Sequence, residues 1–359
     1  MSFDCEIVRF SADIPDAAPA ESEEPACSSA AKRHFLYSAI AVREETFPRL
    51  FGVLRTAFGN LDADFSAFDF FVHASSDMQA CVFMEAGAQP VFVLTSSLVE
   101  RLNDKELAFV VGHEYGHFAL RHRRKNPIDE EDFPLGAAYF QMLQRASEIS
   151  ADRVGLVACR DVKSALSALI KIVSGLTESN IRFSVNVFLR QFDELIARGP
   201  SPSERESSHP LFLLRLRALI AFGRCAEFFG RGDGALGSVT KADADRRTER
   251  DFRRLSGFSP EEISEAIVHE VGLFSAFSEF VKDGRFSKNE QETARRFFAE
   301  DDVAKMLSFV KNRGSAALAE AASVRRLFAM RCALPPSARE RLNRLDASLR
   351  ELSELEDRT

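Results

Sequence analysis

The spacing of apolar residues predicts strands in the first part of the chain and helices in the rest. Short runs rich in phenylalanine and valine occur at Phe68–His73, Ala80–Met84 and Val91–Leu94, and such runs are typical of strands. A turn at 86–88 separates the last two runs, so we expect a small antiparallel sheet. From about residue 96 onwards, apolar residues recur every three or four positions, which is the period of an amphipathic helix.

Two polar stretches mark the expected domain boundaries. Residues 12–31 are rich in proline, alanine, serine and glutamate, which favours a loosely packed connection after a short N-terminal strand. Residues 231–250 are polar and contain glycine, which is typical of a linker. We therefore expect an N-terminal strand with a flexible segment, a main α+β domain that opens with a helix over 31–58, a linker and an all-α C-terminal domain. Their expected ranges are 1–30, 31–230, 231–255 and 256–359, and the overall class is α+β, predominantly helical.

The composition is that of a globular protein without a membrane segment. With 359 residues, 45% of them hydrophobic, the chain can bury a sizeable core. A net charge of −7 gives no reason to expect a nucleic-acid partner. The best apolar stretch, 211–223, is interrupted by Arg215 and Arg217, so it cannot span a bilayer core of about 30 Å. The N-terminal segment MSFDCEIVRF carries acidic residues and lacks the apolar run of a signal peptide.

The cysteines indicate a reducing compartment. The six of them are scattered along the chain and include no CxxC pair. This pattern favours reduced thiols over a disulfide framework or a structural zinc site. We therefore expect a soluble, cytoplasmic protein.

An HExxH motif, His113-Glu114-Tyr115-Gly116-His117, lies within a helix that is predicted to begin at Asn103. Asn103 and Glu106 form a capping box at its start. Two histidines four residues apart lie on one face of a helix, where both imidazoles can bind the same metal ion. Glu114 projects beside that ion, where it can take a proton from a water molecule. The motif therefore predicts a zinc peptidase.

The other two residues of the motif are expected to serve packing. Tyr115 lies roughly 200° around the helix from the two histidines, which favours packing over chemistry. Gly116 costs about 1 kcal/mol of helix propensity relative to alanine. A close neighbour at that point of the helix would explain why a glycine is used.

A third ligand is needed, because catalytic zinc takes three protein ligands and leaves one position for water. Glu148, in a second predicted helix, is the best candidate, and Asp152 follows one turn later on the same face. Asp152 can therefore accept a hydrogen bond from the far nitrogen of a ligating histidine. The alternatives are a solvent-facing glutamate at 148 and an ion pair of Asp152 with Arg153 or another arginine. We expect one Zn²⁺ per chain, held by His113, His117 and Glu148.

These residues resemble the zinc endopeptidases of the gluzincin group, which include the HtpX-type proteases and the CAAX prenyl endopeptidases. The HExxH motif is followed by ExxxD at Glu148 and Asp152, and then by Ser208–Arg215, which is similar to the HP-xxxx-R segment of that family. The strand at 91–94, the short helix after it and the residues before the metal helix are similar to the lead-in of the family. The resemblance spans roughly residues 75–220.

The resemblance implies a zincin-like metallopeptidase domain and adds further site residues. His209 would donate a hydrogen bond to the oxyanion, with Arg215 as a supporting cation, although His209 could instead only introduce a helix that starts at a proline. In zincins an edge strand binds the substrate by strand addition. The candidates for such backbone contacts are Gln79, Ala80, Cys81 and Val82. An ordinary sheet strand is the other interpretation of these four residues.

The chain departs from the membrane members of the family, which carry transmembrane helices around this core. No such helix is predicted here. A prenylated membrane substrate is therefore less expected than a soluble peptide or protein.

The C-terminal helices suggest a second class of function, the binding of a partner protein. Residues 282–290 predict a helix–turn–helix capped by Ser287, and they weakly resemble the turn of TerB-like helical domains. A leucine stripe runs along the last helix, at Leu342, Leu345, Leu349, Leu352 and Leu355. We expect the stripe to pack on its own domain, and packing on a partner or on a second copy of the chain is the alternative.

The sequence therefore predicts a zinc endopeptidase that cleaves a soluble peptide or protein, with Glu114 as general base. The alternative is a protein whose zinc site is structural or latent and which acts as an interaction module through its C-terminal helices. A third possibility is a peptidase that is autoinhibited by residues 1–31 or by the C-terminal domain.

Overall fold

The protein is mostly helical and contains one small sheet, which confirms the predicted α+β class. The computed structural model describes residues 8–10, 30–84, 88–122, 133–182, 184–199, 212–225, 238–256, 260–282, 286–331 and 334–356. Among the helices in these ranges, none is both long enough and apolar enough to cross a membrane.

Strands and helices alternate in the first part of the chain. The strands are β1 (Ile40–Ala41), β2 (Asp69–His73), β3 (Ala80–Phe83) and β4 (Val91–Thr95). The first helices are α1 (Ala30–Ser38), α2 (Pro48–Asn60), α3 (Ser96–Arg101) and α4 (Asp104–Ala119). The helices that follow are α5 (Pro134–Cys159), α6 (Val162–Ser174), α7 (Val185–Arg198), α8 (Phe212–Phe222), α9 (Lys241–Ser256), α10 (Pro260–Phe280), α11 (Lys288–Phe297), α12 (Glu300–Arg331) and α13 (Pro336–Glu356).

The sheet is mixed, which corrects the expected antiparallel arrangement. The strand order is β1-β2-β4-β3, and β2 runs parallel to β4 while the other neighbours are antiparallel. The turn signal between β3 and β4 predicts their antiparallel pairing, but no local pattern shows that β4 inserts between β2 and β3. As a result β3 lies at one edge of the sheet.

Each face of the sheet packs on a different helix. On one face the ring of Phe70 lies 5.4 Å from that of Phe58 in α2. On the other face Phe35 of α1 packs against Phe71, with ring centroids 6.1 Å apart. The sheet therefore carries packed aromatic side chains on both of its faces.

One expectation about the N-terminal region was wrong, and a second is tested only over three residues. The helix predicted over residues 31–58 is two helices separated by β1, because Pro48 lacks an N–H group and so begins α2 at its first turn. Of the short N-terminal strand that was expected, only residues 8–10 lie within the described residues, and these do not form a strand. Instead Phe10 is fully buried, and its N–H group donates a hydrogen bond to the hydroxyl of Ser150 in α5 at 2.9 Å.

Helices α4 and α5 cross at small residues, which brings their backbones close together. A Cβ at Gly112 would collide with the Cβ of Ala158. A Cβ at Gly116 would lie 3.0 Å from the Cα of Ala151, which is tighter than ordinary packing. The expectation that a close neighbour explains Gly116 is therefore confirmed.

The chain divides into two compact units. One unit comprises residues 1–123 and 144–257, and the other comprises residues 124–143 and 258–359. The second unit contains the start of α5 and the helices α10 to α13. Its core includes Phe274, Phe277 and Met306, and Leu345 of the leucine stripe packs against it. The capping box at Ser287, with Glu290 as its partner, is present at the start of α11 as predicted.

The segment predicted as a linker, residues 231–255, is helical from Lys241 onwards. Helix α9 packs against α8 within the first unit. Its buried face carries Thr248 and Asp251 as well as Phe252, and this polar content made the segment resemble a linker. The ranges of the four proposed domains otherwise stay predictions.

Candidate metal centre

Helix α4 directs two imidazoles to one point. It begins at the predicted capping box, in which Asn103 and Glu106 each bond the backbone N–H group of the other. His113 and His117 are 8% and 7% exposed, and their Nε2 atoms lie 3.1 Å apart. The spacing of four residues therefore gives the paired imidazoles that the motif predicts.

Glu148 of α5 completes a set of three potential ligands. Its Oε2 lies 3.5 Å from Nε2 of His113, and its Oε1 lies 3.3 Å from Nε2 of His117. The three residues each offer an atom within 4.8 Å of the others. In a tetrahedral zinc site with bonds of about 2.1 Å, two ligand atoms lie roughly 3.4 Å apart. The observed separations therefore fit one zinc ion, and two imidazoles with one carboxylate are a donor set that zinc accepts.

Asp152 and Arg215 form a buried ion network behind these ligands. Oδ1 of Asp152 lies 2.9 Å from Nδ1 of His113, on the side of the ring opposite to Nε2. Arg215 of α8 donates from Nε and Nη2 to Asp152, at 2.7 and 2.6 Å. Its Nη1 lies 3.1 Å from Oε2 of Glu148. One guanidinium group therefore bridges the two carboxylates of the ExxxD segment.

Arg153 is not the partner of Asp152. Its Nη2 lies 2.6 Å from Oδ1 of Asp245 in α9. Its guanidinium is fully buried between the rings of Phe10 and Phe222, at 5.3 and 4.7 Å from their centroids. The arginine that neutralises Asp152 is Arg215, which lies much further along the chain.

The two carboxylates of the network favour their ionised forms. Burial alone would raise the pKa of Glu148, but Arg215 and the two histidines hold that pKa well below its ordinary value. The pKa of Asp152 is also lowered, because Arg215 and His113 outweigh the effect of burial. In turn these carboxylates raise the pKa of Arg215 against its own burial, and Glu114 contributes to that rise. Glu148 is therefore ready to act as a charged ligand.

His122 is a site residue that the sequence analysis missed. It follows the end of helix α4, yet it is only 5% exposed. Its Nδ1 lies 2.9 Å from Nδ1 of His117. The available signal was a histidine just beyond the end of the metal helix, where helical periodicity no longer predicts which side chains meet.

Of the remaining predicted residues, Glu114 and Tyr115 lie within the described part of the chain. Glu114 is half-buried, and its charge contributes to the raised pKa of Arg215. Tyr115 packs against Phe58 and Phe68, at 5.2 and 5.9 Å between ring centroids, as expected. His209 lies outside the described residues.

The candidate substrate strand lies beside the metal helix. Ala80, Cys81 and Val82 belong to β3, which packs against α4. Gln79 directly precedes the strand, where its backbone N–H group donates to Oγ1 of Thr95 and its carbonyl accepts from the N–H group of Thr95, both at 3.0 Å. Residues 79–82 are therefore all hydrogen-bonded or paired to β4 on one side of the segment.

Comparison with known proteins gives a family match and a similar curated protein. The model of a family described as Peptidase family M48 matches residues 34–131 and 133–222. A curated protein of Arabidopsis thaliana, plastoglobule-localized metallopeptidase 48, chloroplastic, is 27% identical over 214 residues. The match covers 53% of this chain and 61% of that relative, so the chain spans less than two thirds of its length. No solved structure matches the chain.

Proposed function

The chain belongs to peptidase family M48, and from this membership and the geometry of the site we propose that it is a zinc-dependent endopeptidase. The observation that carries the proposal is the approach of Nε2 of His113, Nε2 of His117 and the carboxylate of Glu148 to within zinc-ligand separations. These three side chains would hold one Zn²⁺ per chain. The proposed substrate is a soluble peptide or protein.

A bound zinc ion would supply Lewis-acid activation of a water molecule and of the scissile carbonyl group. In this proposal Glu114 is the general base, which takes a proton from the attacking water molecule and later delivers it to the leaving amine. No net proton is lost by Glu114 over the cycle. The arrangement needs Glu114 beside the metal, on the turn of α4 between the two histidines.

Asp152 and Arg215 orient the ligands in this proposal. Asp152 accepts the Nδ1 proton of His113, so that the lone pair of Nε2 points to the metal. Arg215 balances the two carboxylates and restrains Glu148 through its Nη1. Because Arg215 is already engaged with both carboxylates, we assign it to orientation rather than to contact with the substrate.

For the substrate, we propose binding along β3, with the peptide backbone pairing with residues 79–82. His209 is proposed as the donor to the oxyanion, on the resemblance of its HP-xxxx-R segment alone. A second donor to an oxyanion contributes a few kcal/mol in other hydrolases. Substitution of His209 should therefore lower kcat much more than zinc affinity.

The finer assignments are also proposals. We assign the chain to the HtpX and CAAX-type subgroup on its three motifs, and its C-terminal unit to a TerB-like domain on the turn at 282–290. The name of the Arabidopsis relative places that protein at plastoglobules of the chloroplast. For this chain we propose the cytoplasm, because its cysteines are scattered and unpaired by spacing.

The proposal is tested by metal analysis followed by cleavage of an unbiased peptide library, with and without a chelator. We expect one zinc per chain and cleavage that the chelator abolishes. Glu114→Gln should retain zinc and lose cleavage by about a thousandfold or more, since both the proton acceptor and the proton donor are removed. Glu100→Gln, an exposed glutamate of α3, is the matched control and should cleave normally.

Two outcomes would contradict the proposal. Cleavage at the normal rate by Glu114→Gln would exclude Glu114 as the base. Stable zinc binding without cleavage of any peptide, by the full chain, would favour the interaction module with a latent metal site.

A further inference from the structure

The other imidazole ligand, His117, has a partner behind it as His113 does. The Nε2 atoms of both histidines face Glu148, and their Nδ1 atoms face away from it. Nδ1 of His113 meets Asp152, and Nδ1 of His117 meets Nδ1 of His122 at 2.9 Å. The structure thus gives one ligand a carboxylate partner and the other an imidazole partner.

We propose that His122 is a positioning residue that fixes the tautomer and ring orientation of His117 for metal binding. When Nε2 of His117 is a ligand, its Nδ1 must carry the proton and donate it. Nδ1 of His122 must then accept, so that His122 is the tautomer with its proton on Nε2. A neutral imidazole in this role leaves the charge of the site unchanged, whereas Asp152 adds a negative charge on the other side.

The backbone at the end of α4 is built to hold His122 in that position. Arg121 has a φ of 58°, a left-handed conformation that residues with a side chain adopt at a cost. This residue turns the chain back, so that the N–H group of His122 donates to the carbonyl of His117 at 3.0 Å. The pattern is that of a helix C-terminal motif, in which a left-handed residue folds the next one onto the last turn. His122 therefore contacts His117 through both its backbone N–H group and its imidazole ring.

Residues 8–10 of the N-terminal segment also contact this turn. Nη2 of Arg9 donates to the carbonyl of Leu120 at 3.3 Å, and this carbonyl lies at the helix end, where helical partners are lacking. Arg9 lies between Val8 and Phe10, both of which are fully buried. The position of His122 is thus restrained by the left-handed turn at Arg121, by its own burial and by the contact of residues 8–10 with the helix end.

The inference rests on the proposed zinc site but not on peptide hydrolysis, so its test measures zinc affinity directly by competition with a chromogenic chelator. His122→Leu keeps the bulk of the side chain and removes the acceptor, so zinc affinity should fall by on the order of 10- to 100-fold. His122→Gln restores an acceptor through its amide oxygen and should recover most of that loss. His269→Gln, an exposed histidine of the second unit, is the control and should bind zinc as the parent chain does.

A second pair of variants acts on the turn without changing the ring. Arg121→Gly favours the left-handed conformation and should keep zinc affinity. Arg121→Val disfavours it, because a β-branched residue rarely adopts a positive φ, and should lower zinc affinity in the same direction as His122→Leu. This pair keeps the proposal testable if His122→Leu fails to fold.

A purely structural role for His122 gives a different pattern. In that case His122→Leu would bind zinc as tightly as the parent chain, and His122→Gln would be the weaker variant because it buries an amide. That result would overturn the proposal. A parent chain that binds zinc without hydrolysing peptides would refute the peptidase assignment and leave the role of His122 intact.

Discussion

At the scale of single residues, Asp152 determines the orientation of two other side chains. Its carboxylate is 1% exposed and is shared between Nδ1 of His113 and the guanidinium of Arg215. Each hydrogen bond to this carboxylate is strongest in one orientation of the side chain that donates it. The imidazole and the guanidinium are therefore both positioned by a residue that does not itself lie at the metal position.

Asp152→Asn should weaken zinc binding while changing the shape of the site very little. The amide has lost the charge that attracts Arg215. While its oxygen accepts the hydrogen bond from Nδ1–H of His113, its NH₂ group faces Nε of Arg215 and cannot accept from it. We expect zinc affinity to fall by on the order of 10- to 100-fold, measured by chelator competition. Asp193→Asn, at an exposed aspartate 3.7 Å from Arg217, is the control for the loss of one negative charge. Equal affinities for both variants would show that the network behind His113 has no influence on the metal.

The sequence predicted the residues of the site only where a regular element relates them. His113 and His117, like Glu148 and Asp152, are each four residues apart in one helix, and this spacing sets their common face. Arg215 is a long-range partner, and only the family motif indicated it. His122 lies beyond a left-handed residue, so no periodicity connects it with His117.

At the scale of elements, the crossing of α4 and α5 brings Glu148 to the two histidines. The crossing is close because glycines and alanines line it on both helices. A Cβ at Gly155 of α5 would lie 2.6 Å from the carbonyl oxygen of Phe109 in α4. Since backbone atoms cannot move independently of their helix, any side chain at this position must push α5 away from α4.

Gly155→Ala should therefore reduce both stability and zinc affinity, although it changes no ligand. We expect the free energy of unfolding to fall by about 1–3 kcal/mol, as for other overpacked sites, in urea titrations. Gly52→Ala in α2 is the matched control, because a Cβ there meets no atom within 4 Å. The control should gain up to about 1 kcal/mol through its higher helix propensity. A loss of stability without a loss of zinc affinity in Gly155→Ala would separate the crossing from the geometry of the metal site.

The elements were easier to predict than their arrangement. The runs at 80–84 and 91–94 were recognised as strands, and their turn indicated their antiparallel pairing. The parallel pairing of β2 with β4 depends on where the chain re-enters the sheet, which is a long-range property. Helix α9 was missed for another reason: its buried face contains Thr248 and Asp251, whose polarity conceals the helical period.

At the scale of the whole molecule, a bound metal ion would link segments that are far apart in the sequence. The three proposed ligands come from α4 and α5, and the network behind them includes Arg215 of α8. A ligand that binds only the folded state stabilises it by mass action. Zinc should therefore stabilise the protein by an amount that grows with the logarithm of the ratio of free zinc to its dissociation constant.

Removal of zinc should lower the thermal midpoint of unfolding by several degrees. At a free zinc concentration of 1,000 times Kd, the expected stabilisation is about 4 kcal/mol. Scanning calorimetry with and without a chelator measures it, and Glu148→Gln should abolish the difference. Glu178→Gln, which replaces a glutamate with an 83% exposed side chain, should retain it. A midpoint for the parent chain that does not respond to the chelator would mean that zinc does not bind the native state.

The division into units was the least predictable property of the whole molecule. The start of α5, residues 134–143, belongs to the same unit as the C-terminal helices, although a long segment of the first unit follows it in the sequence. Sequence reasoning assigns domains as continuous ranges, because linkers are recognised by local composition. The helical character of the C-terminal unit was correctly predicted, since it depends only on periodicity.

The position of β3 has a consequence for the design of inhibitors. In the described part of the sheet, β3 is paired along one side only, so its other side offers amide and carbonyl groups. A peptide of any sequence can form hydrogen bonds to these groups through its main chain. Under the proposed binding mode, every second amide N–H group of a bound peptide faces β3. N-methylation of those amides would abolish binding, and N-methylation of the other set would leave binding intact. Such a ligand pair would report which backbone groups are read, before any side-chain preference is known.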